Sequence, residues 1–153
     1  MKVVLQRVKN AFVEVDNKTI SEINRGYLIF WGIEENDKTE DYEALIKKIL
    51  NLRIFSDNDG KMNKSIQDVE GEILVVSQFT LAASYTKGNR PSFIKAKDPN
   101  EANKMISEII NEFSKNITTK QGSFGASMQV GLVNDGPVTF ILSSINGKLE
   151  EIN

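Results

Sequence analysis

Three clusters in this 153-residue chain have residue types and spacing suited to chemistry. The first is Ser77-Gln78-Phe79-Thr80, which closes an apolar run from Ile73 to Val76. Polar groups at the end of a buried strand sit on a rigid scaffold. A hydroxyl of Ser77 or Thr80 is one candidate nucleophile. The backbone N–H groups of the segment are equally good candidates, as donors to a developing oxyanion. The same residues would also satisfy a sheet edge, and the two readings weigh the same. The second cluster is Gly88-Asn89-Arg90-Pro91-Ser92-Phe93, with Lys87, Lys95, Lys97 and Tyr85 close by. Positive charge beside aromatic rings can meet phosphates and stack a base, although a solvated loop has the same composition. The third is Gly136-Pro137. Glycine lets a ligand approach the backbone closely, and proline fixes the geometry of its neighbouring carbonyls.

Composition narrows the chemistry further. The chain has neither cysteine nor histidine. Disulfides, thiolate nucleophiles, Ser-His-Asp triads and His- or Cys-ligated zinc are therefore excluded. An all-carboxylate metal site stays open in principle. Ser56-Asp57-Asn58-Asp59-Gly60 resembles part of a calcium loop but lacks the terminal bidentate glutamate, so it reads as a surface turn and no metal is expected. No cofactor is expected either, since neither type of glycine-rich phosphate loop is present. The net charge of −2 argues against nonspecific nucleic-acid binding by the whole surface, but not against a local basic patch. No apolar run is long enough to span a membrane. Residues 1–8 break at Gln6 and Arg7, too early for a signal peptide, so a cytoplasmic protein is expected.

The elements that must position these clusters follow from periodicity. Residues 2–8 alternate around Val4, Gln6 and Val8, and 12–15 continue after Lys9-Asn10, which predicts two strands in a hairpin. Residues 18–23 form a weaker strand. Gly26 to Ile33 is an almost unbroken apolar and aromatic run, which predicts a buried strand. A helix follows over 38–51, capped by Asp37 with Glu40 and burying Tyr42, Leu45, Ile46, Ile49 and Leu50. Residues 72–81 form the central strand, and 84–97 a loop marked by Gly88 and Pro91. Asp98-Pro99-Asn100-Glu101 starts a second helix, with Asp98 as N-cap, Pro99 at N1 and Glu101 completing a capping box. Residues 118–124 give a short strand and turn. Finally, Met128, Val130 and Leu132 alternate before Asn134-Asp135-Gly136-Pro137, and Val138, Phe140 and Leu142 after it. That pattern predicts a β-hairpin. Its awkward feature is Pro137, which removes a ladder donor and sits where a cis bond is least costly. The expected architecture is one α+β domain over 1–153, with mixed, largely antiparallel, barrel-like sheets and two helices packed on them.

Ser77-Gln78-Phe79-Thr80-Leu81 and Asn134-Asp135-Gly136-Pro137-Val138-Thr139 together resemble the two signature motifs of the D-aminoacyl-tRNA deacylase family. Gln6-Arg7-Val8, Leu52-Arg53-Ile54-Phe55, Gly60-Lys61-Met62-Asn63, Arg90-Pro91-Ser92-Phe93 and 122–128 extend the resemblance over nearly the whole chain. The resemblance implies a homodimeric hydrolase that cleaves the ester between a D-amino acid, or glycine, and the 3′ end of tRNA. It implies a pocket lined by Ser77, Gln78, Phe79 and Thr80. A cis Gly136-Pro137 would enter that pocket from the partner subunit, its carbonyls leaving no room for an L side chain. Arg7 would hold that loop, and its presence favours this group over a related one with a trans Gly-Pro. Phe124 and Met128 would lie near the terminal adenine.

That implication suits a chain without histidine. An aminoacyl ester is already activated, so positioning, backbone donors and an admitted water suffice, with the RNA's own 2′-hydroxyl assisting. Thr80 as a covalent nucleophile is the lesser alternative. Two other functions compete: a noncatalytic dimeric module that binds tRNA 3′ ends, and a different ester or amide hydrolase on the same scaffold.

Overall fold

The computed structural model describes residues 1–151. Nine strands, β1 (Lys2–Val15), β2 (Lys18–Ile23), β3 (Gly26–Gly32), β4 (Phe55–Ser56), β5 (Met62–Lys64), β6 (Glu72–Ser77), β7 (Thr119–Gln121), β8 (Gln129–Ile145) and β9 (Lys148–Glu150), accompany two helices, α1 (Thr39–Asn51) and α2 (Pro99–Ser114). The main sheet has the order β7-β6-β3-β1-β8-β9, with β2 also paired to β1; β4 and β5 form a separate two-stranded ribbon. The β3–β6 and β6–β7 pairs are parallel and the others antiparallel. This is the expected mixed α+β architecture. Lys120 Nζ of β7 donates to Glu22 O of β2 at 2.7 Å. No ladder joins those strands among the described residues, so the barrel-like curl stays open.

Both parallel steps, β3 to β6 through α1 and β6 to β7 through α2, run the same way across the sheet. Right-handed crossovers then put both helices on one face. Tyr42, Leu45, Ile46, Ile49 and Leu50 of α1 and Ile106, Ile109 and Phe113 of α2 share a single core with Val3, Leu5, Ile29, Trp31, Ile73 and Val75. Trp31 meets Phe113 edge-on at 6.0 Å. A second core on the opposite face gathers Val8, Ala11, Val13, Ile23, Leu28, Leu74 and Val76.

The two cores explain where sequence periodicity misleads. Residues 2–15 are one strand, and Lys9-Asn10 is a register shift in it, not a turn. Its first half buries Val3 and Leu5 rather than the Val4–Gln6 side. Likewise 129–145 is one strand, not a hairpin. Gln129 to Val133 pairs with the second half of β1, and Thr139 to Ser143 pairs with the first half of the same strand. Between Asn134 (opposite Val8) and Thr139 (opposite Gln6), residues 135–138 bulge out against the single residue Arg7. An odd number of inserted residues swaps the faces of a strand. So Met128, Val130 and Leu132 pack on the second core, whereas Val138, Phe140 and Leu142 pack on the first.

The helix starts differ in detail from expectation. Asp98 Oδ1 accepts from the N–H groups of Asn100 (2.9 Å) and Glu101 (3.2 Å), as an N-cap should. The Glu101 carboxylate completes no box and lies 3.8 Å from Lys97 Nζ. At α1 the reciprocal bond comes from Asp41, whose Oδ2 accepts from Lys38 N–H at 3.0 Å. Asp37 instead accepts from Glu34 N–H and from the Met1 ammonium.

Candidate active site

Strand β6 ends at Ser77 rather than running on to Leu81. Gln78 N–H still donates to Trp31 O (2.9 Å), and the chain then turns into a 3₁₀ segment, Phe79–Ala82. Gly32 makes room for this turn. A Cβ at Gly32 would lie 2.6 Å from Leu81 Cβ and 3.1 Å from Gln78 O. The first N–H groups of a helical turn have no partner inside it. Those of Phe79 and Thr80 accordingly have no acceptor among the described residues. Thr80 Oγ1 accepts from Gln78 Nε2 at 2.6 Å.

Beside this turn lies a cavity of about 630 Å³. It opens where β6 ends and α2 begins, at the carboxyl ends of the parallel strands, where open α/β sheets place ligands. Val76, Ser77, Gln78 and Phe79 form one wall; Phe93, Ala96 and Lys97 another; Asp98, Pro99 and Ala102 a third; and Phe124, Gly125, Ala126, Met128 and Val130 the fourth. Phe93 packs edge-on against Phe79, with centroids 4.9 Å apart. Met128 is fixed by the 122–126 turn. Its Sδ accepts from Ser123 N–H at 3.3 Å, and a Cβ on Gly122 would come within 2.8 Å of it. Of the residues singled out in the sequence, Ser77, Gln78, Phe79, Phe124 and Met128 therefore share one cavity. Sequence reasoning missed the α2 end of the wall and Gly32. The available signals were the N-cap at Asp98 and a glycine inside an otherwise bulky strand.

Thr80, Arg7, Gly136 and Pro137 do not line this cavity. Gly136 and Pro137 are exposed, joined by a cis peptide bond. Arg7 is buried beneath their bulge. Its guanidinium donates to Asp135 O (2.8 Å) through Nε and to Ile54 O (2.5 Å) through Nη1. Asn134 clamps the bulge from the other side: its Oδ1 accepts from Val138 N–H at 2.7 Å, and its Nδ2 donates to Thr139 Oγ1 at 3.0 Å. Next to Arg7, Tyr27 stacks on Phe55 at 5.2 Å. Burial holds the Tyr27 hydroxyl well above the ordinary tyrosine range, although the Arg7 charge pulls the other way. Tyr27 is thus a neutral packing residue.

No group of acidic residues suited to a metal occurs among the described residues. Asp57 closes the 57–61 turn by accepting from Asp59 and Lys61 N–H. No helix among them is long and apolar enough to cross a membrane.

The family model described as D-Tyr-tRNA(Tyr) deacylase matches residues 4–143. The chain belongs to that family. Membership makes it an enzyme of the hydrolase class. A D-aminoacyl-tRNA deacylase of Thermodesulfovibrio yellowstonii is 55% identical over 145 residues, covering 94% of this chain and 99% of the relative. A solved structure described as a c-Myc DNA unwinding element binding protein superposes with a TM-score of 0.90 at 43% identity, covering 95% of this chain and 99% of that one. A probable eukaryotic D-amino acid tRNA deacylase shares the fold, with a TM-score of 0.77 at 18% identity over 92% of this chain and 97% of that chain. Ser77 to Leu81 and Asn134 to Thr139, the segments that carry the resemblance, fall inside the matched range.

Proposed function

We propose that this deacylase hydrolyses the ester between a D-amino acid, or glycine, and the 3′ end of tRNA, and that it works as a homodimer. One observation carries the reading: a cavity with Phe79 in its wall, beside a turn whose first two backbone N–H groups, those of Phe79 and Thr80, have no acceptor among the described residues. Donors aimed at the ester carbonyl oxygen stabilise the oxyanion as water adds, and they need no reorganisation during the reaction. The chain holds no histidine to activate a hydroxyl. The attacking water is instead assisted by the neighbouring 2′-hydroxyl of the terminal ribose. Phe124 and Met128, on the apolar wall, receive the adenine.

Selection against L substrates falls to Gly136-Pro137. These residues stand outside their own chain's cavity, so we assign them to the cavity of a second copy. Strand β8 supports such a pairing, because beyond the bulge it exposes Ile141 and Ile145 on one face. A rigid wall of carbonyls rejects an L side chain sterically, where attraction to a small group would discriminate little. In a cytoplasmic setting the result is removal of D-amino acids from tRNA before they reach translation.

The test is release of amino acid from D-tyrosyl-tRNA and L-tyrosyl-tRNA. Release from the D substrate alone is expected. No release from the D substrate defeats the deacylase reading, and equal release from both defeats the steric gate.

A further inference from the structure

We propose that the 84–95 loop is a phosphodiester-binding arm that grips the RNA strand leading away from the cavity; the proposal rests on the deacylase reading. From Ile73 to Lys97 the chain carries Lys87, Arg90, Lys95 and Lys97 and no acidic residue, although Asp and Glu outnumber Lys and Arg 21 to 19 in the whole sequence. Lys97 is committed within the protein: its Nζ donates to Glu35 O at 2.7 Å and lies 3.8 Å from Glu101. Lys87, Arg90 and Lys95 are exposed and form no ion pair or side-chain hydrogen bond among the described residues.

The loop that carries them has a defined base beside the cavity. Ser84 and Ser92 exchange backbone hydrogen bonds, both 2.8 Å, which closes 85–91 into a projecting tip. Glu35 N–H donates to Lys95 O at 2.8 Å. The Phe93 ring lies against Phe79 at the cavity wall. Tyr85 and Ile94 are 75% and 86% exposed, so an aromatic face and an apolar side chain flank the free cations. Cations that follow a backbone, interleaved with side chains that accept a base, are how proteins hold single-stranded nucleic acid without reading its sequence. An aminoacyl ester seated in the cavity brings the phosphates of its 3′ strand to that rim.

The experiment compares the intact enzyme with a Lys87→Gln/Arg90→Gln/Lys95→Gln variant on two substrates, D-tyrosyl-tRNA and D-tyrosyl-adenosine, which lacks phosphates. For the tRNA substrate KM should rise about ten-fold with kcat unchanged, and the slope of log(kcat/KM) against log salt should become shallower by about 0.7 for each phosphate that is no longer neutralised. D-tyrosyl-adenosine should be hydrolysed as by the unaltered enzyme. An unchanged KM and salt slope overturns the arm. So does equal impairment on both substrates, which would make the loop a support of the cavity. If the unaltered enzyme hydrolyses neither substrate, the functional reading fails on its own. The salt dependence of binding uncharged tRNA, measured with and without the three substitutions, then still decides the arm.

Discussion

The Phe79–Ala82 turn and the 135–138 bulge both leave the regular sheet, and both carry residues expected at the reaction centre. They are held by different forces. The turn extends a strand whose neighbours, Leu74, Val75 and Val76, are buried, and it fits against Gly32. Its geometry follows from packing, and what it offers is main chain. The bulge projects from β8, and polar braces hold its base: Arg7 below, through the carbonyls of Asp135 and Ile54, and Asn134 across it, through Val138 and Thr139. Loss of packing usually costs stability first. Loss of a polar brace can leave the fold standing and the geometry wrong.

Substitutions can break or sharpen this contrast. The largest effect is expected at Gly136, where φ is +149° and an added Cβ would lie 2.6 Å from Val138 Cγ2 and 2.9 Å from Val138 N. Gly136→Val should lower kcat/KM for D-tyrosyl-tRNA about 100-fold through misplacement of the bulge, while circular dichroism still reports a folded protein. Retained full activity would count against the gate. Arg7→Met comes next. It leaves the buried Ile54 carbonyl and the half-buried Asp135 carbonyl without their donor, at a cost of about 2 kcal/mol in urea unfolding, and it should raise hydrolysis of L-tyrosyl-tRNA relative to the D substrate. A drop in stability with intact selectivity would make Arg7 a fold residue only.

Asp41, remote from both regions, gives a brace with no part in the reaction. It accepts from Ser144 Oγ (3.1 Å) and Gly147 N–H (2.9 Å). Burial alone would raise its carboxyl, but the hydrogen bonds from Gly147, Lys38 and Ser144 hold it below the usual 3.8. A depressed carboxyl contributes stability above that value and loses it as the pH falls through the folded one. Asp41→Asn should therefore cost about 1 kcal/mol near neutrality, and thermal melts of variant and parent should converge in acid, with kcat/KM unaltered. The smallest effect is expected at Thr80. If the N–H groups of the turn do the work, Thr80→Ala leaves hydrolysis within about two-fold. Loss of hydrolysis would restore the hydroxyl as nucleophile.

Much of the frame was legible in the sequence. Asp98-Pro99 marks the α2 start clearly, and the aromatic and β-branched content of 26–33 and the apolar run 73–76 favour buried strands over helices. What failed was pairing. Asn-Asp-Gly-Pro suits a hairpin turn and a wide bulge equally well, because both need residues that tolerate unusual backbone angles. Only the partner strand distinguishes them, and that partner, Gln6 to Val8, lies more than a hundred residues away. Lys9-Asn10 misled for the same reason. At the site, the first motif was legible because it ends an apolar run. The contribution of α2 was not, since Ala96, Pro99 and Ala102 reach the cavity only through the loop's return.

The exchange of faces in β1 and β8 also bears on how the molecule comes apart. Each strand serves the helix-side core with one half and the opposite core with the other, so neither β1 nor β8 can detach and leave either core whole. Unfolding should then be one cooperative event rather than two. Trp31, the sole tryptophan, reports on the first core, and amide exchange at Val8, Ala11 and Val13 reports on the second. Both should give one midpoint in denaturant. The strand that carries the bulge would keep its footing until the whole domain melts.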